Sequence, residues 1–444
     1  MKNYKEKIIN SNNINISSNF FKWIAYILGS MAFTIAFFHR VNATVLAPYL
    51  VETFKVSSTS LGLMSSIYFY SYALVQPAVG VLTDRLKPRK ILSIFIFISA
   101  LGTLIFAYSS NFAFTCIGRL LIGIGSAGVY IPVSWIITQY FAPNKRGFLF
   151  AIFMSSGNIG SLLGAMPFAR VINLLGWRST LINIACISFA MAILMWLVIR
   201  DNNSDHIKEK SIDSKGIEKK IEIGEAKVSY LFVVKEIFKI PIVKYCIILQ
   251  MTSYGAMMSF QGLWAIPFFM DVYNIEKSLA SDIVTMIALG VLFGILILGR
   301  FYDTKYGKLF IIIGPTSSLI MYLLLFFFAD HFSGVTLFKI LFFIWGFCQG
   351  AGPYLLKIYS IILPKRHYGV ATGIINIFPL FGCALYLSVT GLLFDIFGGG
   401  VNVLHRSIGS YKLYFLFLTL SLLLAMLTTI KIIHILNKKY KGMI

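Results

Sequence analysis

A chain of 444 residues that is 58% hydrophobic and only 13% charged is too apolar for a water-soluble protein, in which charged residues approach ~25%. The formal net charge of +22 raises nucleic acid as a partner, but the placement of the cations argues against it. Uncharged runs of about 20 residues, enough to cross ~30 Å of hydrocarbon, recur along the chain without the alternation of a β-barrel, so an all-α membrane protein is expected.

In chain order, the polar and Asn-rich MKNYKEKIINSNNINISSN carries no small-residue cleavage pattern, so residues 1–22 are expected to be a tail and the first span to persist in the mature protein. Twelve transmembrane helices follow, at 23–48, 60–82, 91–109, 112–137, 147–170 and 177–199, then at 241–270, 280–300, 309–328, 335–359, 370–395 and 411–435. An even number returns both termini to one side. With that side cytoplasmic, about thirty of the 39 Lys and Arg fall on it, and about seven (Lys55, Arg170, Arg178, Lys277, Lys339, Arg406, Lys412) fall opposite. The basicity therefore reports orientation, and no nucleic-acid partner is expected. All five cysteines lie within spans at no metal-like spacing, so they are expected to pack, with no metal and no cofactor.

Residues 201–240, opening with DNNSDHIKEKSIDSKGIEKK, form the one long hydrophilic interval. Too short to bury a core, the interval reads as a solvated cytoplasmic loop between bundles at 23–200 and 241–435, with a second tail at 436–444. The two halves repeat. An offset of 219 carries Pro48 onto Pro267, Gly80 onto Gly299 and Asp84 onto Asp303; an offset of 222 carries Gly128, Gly147, Gly160 and Gly176 onto Gly350, Gly369, Gly382 and Gly398. Duplicated, pseudo-symmetric six-helix bundles place a site between them at the bilayer midplane.

The loop string Gly80-Val-Leu-Thr-Asp84-Arg85-Leu-Lys-Pro-Arg89-Lys90 between helices 2 and 3, with Arg119, Gly123 and Gly125 in helix 4 and Asn144-Lys-Arg-Gly147 before helix 5, resembles the major facilitator superfamily. A carboxylate at the C-terminal end of helix 2 is mildly unfavourable against the helix dipole, so Asp84 needs partners elsewhere: a facing helix N-terminus, or Arg85, Arg89 or Arg146. Gly80 is expected to let another helix come close. Together with Gly299 and Asp303 these residues read as a cytoplasmic latch between the halves, the role that the resemblance also implies. It further implies a glycine where this chain has Lys87, so a different turn geometry is expected there.

Arg40 and Arg119 lie within spans, where a charge costs from ~3 to more than ~10 kcal/mol unless it faces a cavity or a partner. The first six spans offer no internal Asp or Glu, so an anion on the substrate is the simplest counter-charge. For Arg119 a packing role weighs about evenly. The run from Arg40 to Tyr49 resembles helix 1 of organophosphate:phosphate antiporters, but the second arginine of that branch is matched here by Ser259, and one guanidinium suits a monoanion better. Helix 7 offers Gln261 and Trp264, and the repeat sets Gln261 opposite Asn42. Tyr68, Tyr72, Gln76, Tyr130, Asn158, Trp345, Gln349 and Asn376 are further polar or aromatic candidates. His39, beside Arg40, is the candidate for proton coupling, although a neighbouring guanidinium opposes its protonation. Lys357 either snorkels or adds a cavity cation.

The reading is a monomeric secondary transporter, not an enzyme, that moves a small anionic or zwitterionic carboxylate such as an organic acid or amino acid by alternating access. Proton-coupled uptake rests on the family resemblance alone, with sodium as the other coupling ion. Efflux of drug or siderophore-like anions and a transporter-like membrane sensor are the competing readings.

Overall fold

The computed structural model describes residues 2–199, 230–302, 307–329, 334–363, 368–397 and 406–439, with the backbone alone at 2–19, 84, 143–144, 230–231, 368–370 and 372. The first half comprises α1 (Lys2–Phe54), α2 (Ser58–Ala107), α3 (Phe112–Tyr140), α4 (Pro143–Leu163), α5 (Met166–Leu175) and α6 (Trp177–Val198). After α7 (Tyr230–Phe238) come α8 (Pro241–Ser259), α9 (Ala265–Tyr273), α10 (Lys277–Leu298), α11 (Phe310–Phe328), α12 (Val335–Gln349), α13 (Tyr354–Ile362), α14 (Tyr368–Phe397) and α15 (Ile408–Lys439). We call proximal the end carrying the chain termini and distal the end carrying the α1–α2 connection.

Local chemistry sets these boundaries. Ser57 accepts from the Ser60 amide at the start of α2, and Asn111 accepts from the Phe114 amide at the start of α3. Pro143 and Pro241 open α4 and α8, where a missing amide costs nothing. Asn274, in the left-handed region at φ 53°, ends α9.

Among the described residues, nine helices are long and apolar enough to cross a bilayer alone, and α4 with α5, bent by 41°, makes a tenth crossing. The proximally running first part of α2, and the rod of α8, a π turn at Phe260–Trp264 and α9, complete the twelve. α12 and α13 share one crossing.

α2 contains the expected spans 2 and 3, joined at Lys87, whose φ of 68° and ψ of 155° suit glycine. The chain thus keeps a glycine-type turn and places a lysine in it, contrary to the altered geometry expected there. The interval 201–240 is not loop to its end: YLFVVKEIF forms α7, which buries Val233 and Ile237. The helices also run into both stretches read as tails, from Lys2 and as far as Lys439.

The repeat recurs as contacts. A Cβ on Gly123 would overlap the Tyr68 carbonyl oxygen, and a Cβ on Gly346 would overlap that of Ile287, the residue 219 beyond Tyr68. Gly80 does not make the close approach expected of it: an added Cβ would meet only Ile131, at 3.9 Å, and Gly299 has nothing within 4 Å. The halves meet near the other end. Gly62 sits on the backbone of Leu387 and Gly391, Thr44 donates to the Leu263 carbonyl at 3.1 Å, and the Met166 amide donates to Thr285 at 3.1 Å.

Candidate functional site

Between the halves, just proximal to these contacts, lies a cavity of about 70 Å³, room for a few waters. Its lining comes from α1 (Phe37, Arg40), α4 (Asn158, Ser161), the α8 rod (Tyr254, Met257, Met258, Gln261) and α10 (Ala288, Val291). Arg40 is its charged member. The guanidinium stacks 4.0 Å from the Phe37 ring and 5.0 Å from Tyr72, and its Nη1 donates to the Tyr254 hydroxyl at 3.4 Å. Nε has no partner, and no Asp or Glu lines the cavity. A buried cation held by ring faces and one hydroxyl remains electrostatically open to an anion.

Gln261 reaches the same space from the π turn, 2% exposed, with Oε1 unpartnered. Gly262 beside it faces the Arg40 carbonyl, its notional Cβ 3.5 Å away, so the turn lies directly against α1 at Arg40.

Other expected site residues lie elsewhere. Arg119 is 1% exposed and faces Asn42, donating to its Oδ1 at 3.2 Å, with the Tyr68 ring 4.9 Å from the guanidinium carbon. Asn42 is thereby held inside the first half, against His39 at 3.3 Å, rather than set across from Gln261. His39 is fully buried, its other ring nitrogen 3.4 Å from Thr103. Tyr68 donates to the Ala36 carbonyl at 2.9 Å, while Tyr72 flanks Arg40. Trp264, three residues past Gln261, turns away: it donates to Thr390 at 2.9 Å and packs at a tilt against Phe394. Trp345 and Gln349 bond to Ser318 within the second half, Tyr130 stacks on Phe153, Gln76 is buried, and Asn376 is exposed on α14. Lys357 donates to the Tyr302 carbonyl at 2.7 Å, at the proximal end of the α10 crossing.

Of the latch residues, Arg89 lies 5.0 Å from the Trp196 ring and Arg146 donates to the Phe141 carbonyl at 2.9 Å, both inside the first half. Arg85 is exposed; Asp303 and the side chain of Asp84 lie outside the described residues.

Sequence reasoning passed over Tyr254, Met257, Met258 and Ser161. Three of these carried a readable signal: Tyr254, Met257, Met258 and Gln261 recur at helical spacing and mark one face of the rod.

Twelve crossings in two repeated halves, with a cationic cavity between them, define a multi-pass membrane transporter. The chain belongs to the Major Facilitator Superfamily, whose family model matches residues 23–387. It is similar to the uncharacterized transporter YybO of Bacillus subtilis (strain 168), 24% identical over 393 residues that cover 85% of this chain and 88% of the relative. A probable L-galactonate transporter of Escherichia coli (strain K12) is 25% identical over 189 residues, 43% of this chain and 41% of that protein. Among solved structures, an inward-facing, unoccupied bacterial homolog of the human lysosomal transporter Spinster superposes with a TM-score of 0.73 at 18% identity, covering 93% of this chain and 98% of that one. That likeness concerns the fold.

Proposed function

We propose that the chain is a secondary active transporter carrying a small organic acid across the bacterial inner membrane by rocking its halves about the Arg40 cavity. Arg40 carries the reading: a guanidinium buried between the halves, held by rings and the Tyr254 hydroxyl, with no carboxylate in the cavity. Substrate carboxylate supplies the missing charge through paired N–H···O bonds. The lining adds no second cation to Arg40 for a phosphate dianion, so a monoanionic head is preferred. The partial match to a protein named for L-galactonate transport points the same way.

Both termini are cytoplasmic in this reading, because the loops on their side hold most of the cations. The structure is then inward-facing, its halves joined distally at Gly62 and Gly391 and free of close contact at Gly80 and Gly299. Uptake is proton-driven, and His39 is the candidate relay.

Counterflow in proteoliposomes with labelled organic acids, amino acids and sugar phosphates tests the assignment. Organic-acid flux should dominate and fall by at least about 100-fold in Arg40→Gln, which removes a charge-assisted pair worth ~3 kcal/mol. Unchanged kinetics in that variant would remove Arg40 from the site, and ligand binding without flux would favour a sensor.

A further inference from the structure

Resting on that reading, we infer that the carried acid bears a hydroxyl on the carbon next to its carboxylate, and that Gln261 recognises this hydroxyl. The α8 rod is interrupted by one π turn among the described residues, Phe260–Trp264, closed by the Ala265 amide donating to the Phe260 carbonyl. Such turns insert a residue into a helix and recur at functional positions. At this turn Gly262 rests against the Arg40 main chain, and Gln261 lines the cavity on the face shared with Tyr254, Met257 and Met258.

The Gln261 amide oxygen is buried and accepts nothing from the protein. Arg40 Nη1 is engaged with the Tyr254 hydroxyl, and its unpartnered Nε is the donor left for the substrate carboxylate. Asn158, a further donor on the lining, is turned to the Met154 carbonyl at 3.3 Å. Gln261 Oε1 thus stands open to a donor on the ligand. Because Arg40 and Gln261 line the same small cavity, donor and carboxylate lie close together on the ligand.

A hydroxyl fits where an ammonium does not. An α-ammonium would enter a site holding one fixed cation and no carboxylate, leaving its charge without a counter-ion. The inference thus separates 2-hydroxy acids, the chemistry of sugar acids, from amino acids and from simple aliphatic acids. Phe37, Met257, Met258, Ala288 and Val291 cover the carbon skeleton without adding charge.

The test is uptake by the full-length protein in proteoliposomes of matched labelled acids: lactate, alanine and propionate; glycerate and 3-hydroxypropionate; gluconate and 2-deoxygluconate. Sites built to bond a hydroxyl reject the analogue lacking it by up to ~10⁴–10⁵. We expect the 2-hydroxy member of the best-carried set to exceed its partners by at least about 100-fold in kcat/KM. Gln261→Met, which keeps the volume and removes the acceptor, should cut that preference to below about tenfold. Wild-type protein carrying the deoxy or amino member within threefold of the hydroxy acid would overturn the inference and leave organic-acid transport standing. Full discrimination retained in Gln261→Met would remove Gln261 as the selector. If no acid moves at all, the transport reading itself fails and takes this inference with it. The wild-type comparison needs no variant to fold.

Discussion

Asp395, near the distal end of α14, accepts from the Ser58 backbone amide at 2.9 Å through one carboxylate oxygen and from the Thr59 amide at 2.9 Å through the other. The carboxylate thus caps the N-terminus of α2, where unpaired amides and the helix dipole both favour an anion. This joins one half of the protein to the other. It is the physics expected of Asp84 at the opposite end, a carboxylate on one half seeking a helix N-terminus on the other, realised distally. Hydrogen bonds from Ser388 to Ser66 at 2.8 Å and from Ser66 to the Ala384 carbonyl at 2.8 Å continue the seam.

Removing this cap should loosen the distal closure more than it unfolds the protein. Loss of an N-cap costs ~0.5–2 kcal/mol, a factor of roughly 2–30 in an opening equilibrium. Asp395→Ala should therefore raise the alkylation rate of a cysteine placed at Ser388, in a background lacking the five native cysteines, by that range. Asp395→Asn, which keeps one acceptor, should fall between the variant and the wild type. An unchanged rate in Asp395→Ala would show that the cap does not hold the seam shut.

Beside the cap, Arg406 donates to Ser58 at 3.0 Å and to Asp271 at 3.1 Å, while the Tyr411 hydroxyl donates to Asp271 at 2.7 Å. Both charged side chains are buried, at 7% and 5% exposure, so removing one strands the other. Arg406→Met alone should lower stability by about 3–5 kcal/mol, whereas Arg406→Met with Asp271→Leu should recover most of the loss. Thermal unfolding in detergent reads both. Equal destabilisation by the single and double variants would mean that packing, not charge pairing, dominates there.

Much of the architecture was legible because a bilayer constrains sequence harshly. Spans, their number and the repeat follow from uncharged runs and from glycines repeated at offsets of 219 and 222, and the similar contacts of Gly123 on Tyr68 and Gly346 on Ile287 give the repeat its packing basis. The cavity was legible at Arg40, because an intramembrane guanidinium needs a reason. The rest depends on pairings across more than 100 residues. Arg406 counted only as a distal cation until Asp271, 135 residues earlier, came beside it. Trp264 was a site candidate beside Gln261 in the sequence, but Thr390 and Phe394 draw it away. The π turn leaves no mark in FQGLW, although Gln261 itself follows Tyr254, Met257 and Met258 at helical spacing.

Lys87 offers a test of stored backbone strain. A side chain at φ 68° and ψ 155° costs ~1–3 kcal/mol relative to glycine, because the Cβ crowds the neighbouring carbonyl. Lys87→Gly should therefore raise stability in detergent by about 1 kcal/mol, the relieved strain being partly offset by the greater freedom of glycine in the unfolded chain. Lys87→Ala, which removes the charge and keeps the Cβ, separates the two effects. Stabilisation by alanine equal to that by glycine would assign the gain to charge.

Gly62 is the sharpest steric probe of alternating access. Its α-carbon side lies so close to α14 that an added Cβ would overlap the Leu387 carbonyl oxygen and press on Gly391, both backbone, so no side-chain rotation relieves it. A methyl group there is incompatible with the distally closed arrangement and compatible with any arrangement in which the distal ends part. Gly62→Ala should remain folded, since alanine suits a helix better than glycine by ~1 kcal/mol. It should lose flux, because the carrier can no longer close distally, and should raise alkylation at Ser388→Cys beyond the level reached with Asp395→Ala. Gly62→Ala protein that transports at the wild-type rate would show that the close approach of α2 and α14 is not required in the cycle.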